Sequence, residues 1–276
     1  MLPQSTFPIG VFDSGVGGLS VLRALRAQLP EESVIYFGDQ GHIPYGPRPL
    51  MQIRTFAEAI TNFLLAQNAK MIVVACNTAS AAALKYLREK FPNVPFVGME
   101  PAVKPAAETT QTGKVGVLAT PATFQGALYA SVVERFAHGV ELLQHTCPGL
   151  VQQIEQGNLD GAETRAILEE ALLPMLEKNI DTVVLGCTHY PFVIPLIQRI
   201  VGEKVRVIDP APAVARQVRR LLEAGGLRNE STSRGNLTFY TSGDAQAFKS
   251  LLPVLLGEEG DVHRVAWVEE SAITLI

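Results

Sequence analysis

Two thiols stand out for the chemistry they could do. Cys76 lies in VVACNTAS and Cys187 in VVLGCTHY, and each follows an apolar run rich in β-branched residues, Met71-Ile72-Val73-Val74 and Thr182-Val183-Val184-Leu185. Such runs, bounded by small residues, read as buried parallel strands. Each thiol therefore falls at or just past the carboxyl end of a strand, where open α/β sheets place their ligands. Hydrogen-bonding residues follow at the start of a helix, Asn77-Thr78 in one context and Thr188-His189 in the other. A helix N-terminus draws a thiol down from its ordinary pKa of about 8.5 toward neutrality, as proton transfer requires. One free cysteine is usually a small buried hydrophobe. Two in matched contexts point to a single site with an acid/base group on each side.

Other residues could serve such a site. Phe12-Asp13-Ser14-Gly15-Val16-Gly17-Gly18 is a glycine-rich strand-to-helix turn. A dinucleotide fingerprint needs Gly-x-Gly-x-x-Gly, and Ser20 stands at its last position here, so a nucleotide is not expected. The amides of such a turn form an anion site that suits a carboxylate as well as a phosphate, and Asp13, at the strand's end, faces it. Tyr45-Gly46 falls in a proline-rich loop, His42 to Pro47, rigid enough to carry ligand contacts. His189, two residues after Cys187, suits a proton relay or a substrate contact. Cys147, in His145-Thr146-Cys147-Pro148, has no counterpart in the other half and reads as structural. Glu155, on its residues alone, is an ordinary exposed helix glutamate.

The elements that must position these groups alternate along the chain. Strands are expected at 9–12, 33–37 and 71–74, with helices at 14–29, 50–64 and 78–91. The order then repeats: strand 115–119, helix 121–136, strand 140–144, a helix opening at Asp160 with Glu163 as a capping box, and the Cys187 strand. Ile9-Gly10-Val11-Phe12 aligns with Val115-Gly116-Val117-Leu118, and VPFVGMEPAV from Val94 aligns with VRVIDPAPAV from Val205. Three matches in one order indicate an internal duplication of domain size. A helix over 213–224 ends at Gly225-Gly226, a polar and mobile loop is expected at 228–236, and a helix at 244–256 lies between strands 237–241 and 263–268. The expected fold class is α/β, with two similar doubly wound domains related by duplication and the active site in the cleft between them. The expected domains are 1–99 with 210–276, the C-terminal segment returning to the first, and 100–209.

Composition sets the outer limits. At 276 residues, 47% hydrophobic and 18% charged, the chain suits about two globular domains. Its net charge of −4 lacks the basic footprint of a nucleic-acid binder, so an anionic ligand would depend on local groups. No apolar run approaches the roughly 18 residues of a membrane span. The start, MLPQSTFPIG, shows neither the basic nor the apolar region of a signal peptide. Three cysteines, an odd number, suit free thiols in a reducing compartment. A cytoplasmic location is expected, with no membrane partner.

The motifs DSGVGG, PYG, ACNTAS, CPGLVQQIEQG and GCTHYP, in this order, closely resemble those of the cofactor-independent glutamate racemases, within the aspartate/glutamate racemase superfamily. The similarity runs from about residue 8 to about residue 226. One departure lies in the fourth motif, where Gly149 and Gln152 stand in place of bulkier residues or proline. The resemblance implies interconversion of L- and D-glutamate, supplying D-glutamate for peptidoglycan. It implies Cys76 and Cys187 as the catalytic acid/bases, Asp13 assisting the first, and Glu155 and His189 assisting the second. Ser14, Tyr45, Gly46, Asn77, Thr78 and Thr188 would hold the substrate, with Asp13 and His189 also touching it. No cofactor and no metal are expected, and no motif holds a lysine to anchor a Schiff base. A homodimer is expected, although no dimer face is legible in the sequence.

Four other readings compete. An aspartate or hydantoin racemase would share the fold, but GCTHYP and PYG favour glutamate. A cysteine hydrolase built on Cys187 and His189 leaves Cys76 and the duplication unexplained. A two-lobed amino-acid-binding protein needs no thiols and would carry an export signal. A zinc site from Cys76, Cys187 and His189 would reveal itself in a metal assay.

Overall fold

The computed structural model describes residues 4–276. Its chain divides by internal contacts into two units, one running through Met99 and resuming over Ala211–Ile276, the other Glu100–Pro210.

The first unit opens with β1 (Ile9–Asp13), α1 (Leu19–Gln28), β2 (Val34–Gly38), α2 (Leu50–Ala66), β3 (Met71–Val74), α3 (Asn77–Lys90) and β4 (Phe96–Gly98). The second contains α4 (Val103–Thr109), β5 (Lys114–Ala119), α5 (Pro121–Gln125), α6 (Ala127–Phe136), β6 (Glu141–His145), α7 (Leu150–Glu155), α8 (Ala162–Glu177), β7 (Thr182–Gly186), α9 (Ile194–Val201) and β8 (Arg206–Ile208). The chain then returns to the first unit with α10 (Ala211–Ala224), β9 (Leu237–Thr241), α11 (Ala245–Leu255), β10 (Asp261–Val268) and β11 (Ala272–Leu275).

In the first unit the seven strands run in the order β11-β10-β9-β2-β1-β3-β4, all parallel except the β10–β11 pair. Strands β1, β2 and β3 are buried along their whole length, as helices on both faces of a parallel sheet require. Ile53, Phe56, Ile60, Phe63 and Leu64 of α2 recur every three or four residues and turn one face inward. They pack with Phe12, Phe37, Ile72 and Val74 in one core, each fully buried large side chain contributing about 1.5–3 kcal/mol.

The second unit has four parallel strands in the order β6-β5-β7-β8. Val103 and Ala106 of α4, with Tyr129 and Val132 of α6, pack on Val115, Val117 and Val184. The order β2-β1-β3-β4 of the first unit is the same order by position, β1 corresponding to β5 and β3 to β7. The sequence repeat therefore has a structural counterpart. Cys76 lies two residues past β3 and Cys187 one residue past β7.

Several elements depart from the sequence reading. Helix α1 begins at Leu19 rather than at residue 14, because the glycine turn uses its amides on Asp13. The helix expected over 121–136 breaks at Gly126, whose ψ of 138° is extended. No capping box forms at Asp160: α8 starts at Ala162, and Gly161 N–H donates 3.0 Å to Asn158 Oδ1. Asp160 instead meets Arg199 in an exposed ion pair. The loop at 228–236 is pinned, with Arg228 Nε donating 3.1 Å to Glu31 Oε1 and Asn229 N donating 2.8 Å to Glu32 Oε1. Strand β11, Ala272–Leu275, has no counterpart in the sequence reading. Among the described residues, no helix is long and apolar enough to cross a membrane.

Candidate active site

The first unit assembles its predicted residues at the carboxyl ends of β1 and β3. These strands are neighbours, paired from Ile9↔Met71 to Phe12↔Val74, and β2 lies on the other side of β1. The sheet's winding reverses here, where α/β folds hold ligands. Asp13 ends β1 fully buried, and its Oδ2 accepts from the amides of Gly15 at 3.3 Å and Gly18 at 3.0 Å. The turn's anion site thus binds the chain's own carboxylate. Gly18 has no alternative there, since a Cβ would sit 2.8 Å from both Asp13 Cβ and the Tyr36 hydroxyl.

Cys76 is the N-cap of α3, and its sulfur accepts from Ala79 N–H at 3.4 Å. Thiols rarely cap helices, where Ser, Thr, Asn and Asp lead, so the choice of sulfur argues for chemistry rather than capping. Ser14 Oγ lies 3.9 Å from Cys76 Sγ. Tyr45 is 1% exposed, and burial pushes its phenol well above the usual value, with further contributions from the charges of Asp39, Cys76 and Asp13. Those influences bring Asp13, Cys76 and Tyr45 into one electrostatic neighbourhood. Gly46 follows in the same loop and is half-buried. Asn77 and Thr78 open α3, both buried. Both polar side-chain atoms of Asn77 lack a hydrogen-bond partner, the only such buried pair among the described residues. An unpaired buried amide costs about 1–3 kcal/mol and points to a ligand-binding role.

The second unit carries the other thiol. Cys187, Thr188 and His189 follow β7 directly, all buried. Cys187 Sγ lies 3.8 Å from His189 Nδ1, and His189 Nε2 lies 2.6 Å from Glu155 Oε1. Glu155 ends α7 with its side chain only 12% exposed, so it is not an exposed helix glutamate. Burial works to lower the His189 pKa, but hydrogen bonds to Cys187 and Glu155, aided by their charges, outweigh it and hold the imidazole well above its usual value. A protonated imidazole donates from both nitrogens, one to the carboxylate and one toward sulfur. Cys147 is a different kind of thiol. Burial first, then the charges of Cys187 and Glu170, push it up to about 12, leaving it protonated and inert near neutrality.

Two neighbours of these groups were missed in the sequence. Tyr190 is fully buried, donates 3.2 Å to Thr146 O, and has its phenol raised by burial and by the charges of Cys187 and Cys147. Asp39 follows β2 directly and bonds the Tyr45 hydroxyl at 2.6 Å. An acid one residue past β2, next to the strand that ends in Asp13, was the signal for it. Among the described residues, no cluster of three or more His, Cys, Asp or Glu side chains could hold a metal ion.

Comparison with known proteins bears on this arrangement. Residues 9–218 match the family model for Asp/Glu/Hydantoin racemase. A glutamate racemase of Roseiflexus sp. (strain RS-1) is 50% identical over 253 residues, 91% of this chain and 93% of the relative. Among solved structures, glutamate racemase isoform RacE1 from Bacillus anthracis superposes with a TM-score of 0.84 at 34% identity, covering 96% of this chain and 98% of the other. The Francisella tularensis glutamate racemase, in complex with D-glutamate, gives 0.82 at 33% identity over 96% and 98%.

Proposed function

The chain belongs to the Asp/Glu/Hydantoin racemase family, an amino-acid racemase, and from that premise we propose that it interconverts L- and D-glutamate by cofactor-independent proton transfer at Cα between Cys76 and Cys187. The observation that carries the reading is the pair of thiols at equivalent places in two four-strand arrangements of the same order, β2-β1-β3-β4 and β6-β5-β7-β8, each with its own polar partner, Ser14 for Cys76 and the His189–Glu155 pair for Cys187.

The chemistry calls for such a pair. Racemisation removes a weakly acidic Cα proton from one face and returns one to the other. One sulfur begins as thiolate and takes the proton; the other begins as thiol and gives one, and the roles exchange with direction. Without an electron sink, the carbanion depends on preorganised hydrogen bonds in a water-excluded site. Asp13 assists Cys76, while His189, fixed by Glu155, assists Cys187. Ser14, the Tyr45–Gly46 loop, Asn77, Thr78 and Thr188 hold the substrate in this reading, and the unpaired Asn77 amide supports it. The enzyme is a cytoplasmic homodimer whose D-glutamate feeds peptidoglycan synthesis.

Circular dichroism of purified protein with L-glutamate should decay to zero with no addition, and survive chelation; L-aspartate should react far more slowly. Loss of activity on chelation, or a requirement for pyridoxal phosphate, overturns the reading.

A further inference from the structure

The carboxylate of Asp39, fully buried, gathers four side chains. Its Oδ2 accepts from the Tyr45 hydroxyl at 2.6 Å and lies 3.0 Å from His42 Nδ1. Its Oδ1 accepts from Ser242 Oγ at 2.6 Å and from Trp267 Nε1 at 2.8 Å. The first pair belongs to the loop that follows β2. The second belongs to the C-terminal segment, which carries none of the motifs: Ser242 directly follows β9, and Trp267 lies on β10.

We propose that Asp39 is a positioning residue of the glutamate site, through which Ser242 and Trp267 of the C-terminal segment hold the Tyr45–Gly46 loop in its binding geometry. The proposal rests on the glutamate reading above and adds to it a role for residues 237–268.

The geometry leaves the loop little freedom. Asp39 N–H donates 3.0 Å to Asp13 O, docking the loop's start against the end of β1. Ser242 Oγ also accepts from Gly41 N–H at 2.9 Å, so one hydroxyl grips the loop twice. His42 stacks on Phe56 at 4.0 Å with rings 7° from parallel, and Trp267 meets it edge-on at 4.8 Å. Arg48 Nε closes the loop's far side on His42 O at 2.7 Å. A buried carboxylate is costly unless its lone pairs are satisfied, so the donors and the acceptor fix one another. The Tyr45 hydroxyl is committed to Asp39, which leaves the loop's backbone to meet a ligand. The raised Tyr45 pKa keeps that hydroxyl a donor across the working range.

Steady-state kinetics in both directions, beside thermal midpoints, test the proposal on the full-length enzyme. Trp267→Phe keeps the ring packing and loses the N–H; Ser242→Ala loses the hydroxyl. Each should raise KM for both enantiomers by about three- to tenfold with kcat nearly unchanged, the fraction of a charged hydrogen bond passed on to binding. Ser242→Thr, which keeps the hydroxyl, should restore KM. Asp39→Asn should raise KM further, and if it fails to fold the other three variants decide. Wild-type KM in both Trp267→Phe and Ser242→Ala overturns the inference, as does a fall in midpoint with KM unmoved, which marks a purely structural role. A wild-type enzyme inactive on glutamate would instead overturn the functional reading on which the inference rests.

Discussion

His189 bridges to Glu155 across 2.6 Å from Nε2, while its other ring nitrogen faces the Cys187 sulfur at 3.8 Å. The carboxylate thus fixes the imidazole's orientation, and with it the donor offered to the thiol.

That bridge has a pH signature. The folded His189 pKa is raised: burial opposes charge, but the bonds to Cys187 and Glu155 prevail. A raised pKa stabilises the fold fully below the unfolded value of about 6.5 and loses that contribution as pH rises through the folded value. Thermal midpoints of the wild type should therefore decline above about pH 6.5, and Glu155→Gln should flatten the decline. The same variant should lose roughly tenfold in kcat/KM, one charge-assisted hydrogen bond's worth. Identical pH slopes in wild type and variant would show that the carboxylate does not hold the proton on His189.

Asn77 offers a trade of stability against function. Both polar atoms of its amide are buried without a partner, and it is the first residue of α3. Asn77→Leu, similar in size, removes the unpaired groups and should stabilise the fold by about 1 kcal/mol. If the amide binds the substrate, KM for glutamate should rise at least about tenfold, the cost of one lost polar contact. A variant less stable than the wild type, or one with unchanged KM, contradicts the assignment.

How far the sequence disclosed this molecule varied with the kind of signal. Cys76 and Cys187 were legible because each lies just past a continuous buried strand, and such runs leave little choice of structure. Helix α1 was misjudged at its start because the apolar spacing begins only at Leu19, and the preceding amides turn to Asp13. Strand β11 was invisible for a different reason. Its hairpin turns at Glu269 and Glu270, with φ of 50° and 54°, a conformation normally announced by Asn or Gly. The Glu155 contact joins residues far apart in the chain, so no local pattern could report it; only the resemblance singled it out. The role of Asp39 is not legible locally, because its four partners come from three separate stretches of sequence.

The sharpest expectation separates the two thiols by direction. In the proposed mechanism the resemblance implies that Cys76 would take the proton from D-glutamate and Cys187 from L-glutamate. Serine keeps the shape of either side chain but is a far weaker acid than a thiol, and so cannot be the resting-state base near neutral pH. Each serine variant should lose racemisation by about 10²–10⁴-fold, the worth of a positioned acid/base group. The remaining cysteine should still abstract its own enantiomer's proton if the reaction can leave by another route. N-hydroxyglutamate offers one: as the Cα proton leaves, the N–O bond breaks, hydroxide departs as water, and an imine remains, with no proton returned to the far face. Cys187→Ser should then consume only the D analogue and Cys76→Ser only the L, followed as 2-oxoglutarate after imine hydrolysis. Both variants consuming both enantiomers at similar rates would remove the assignment of one thiol to each face.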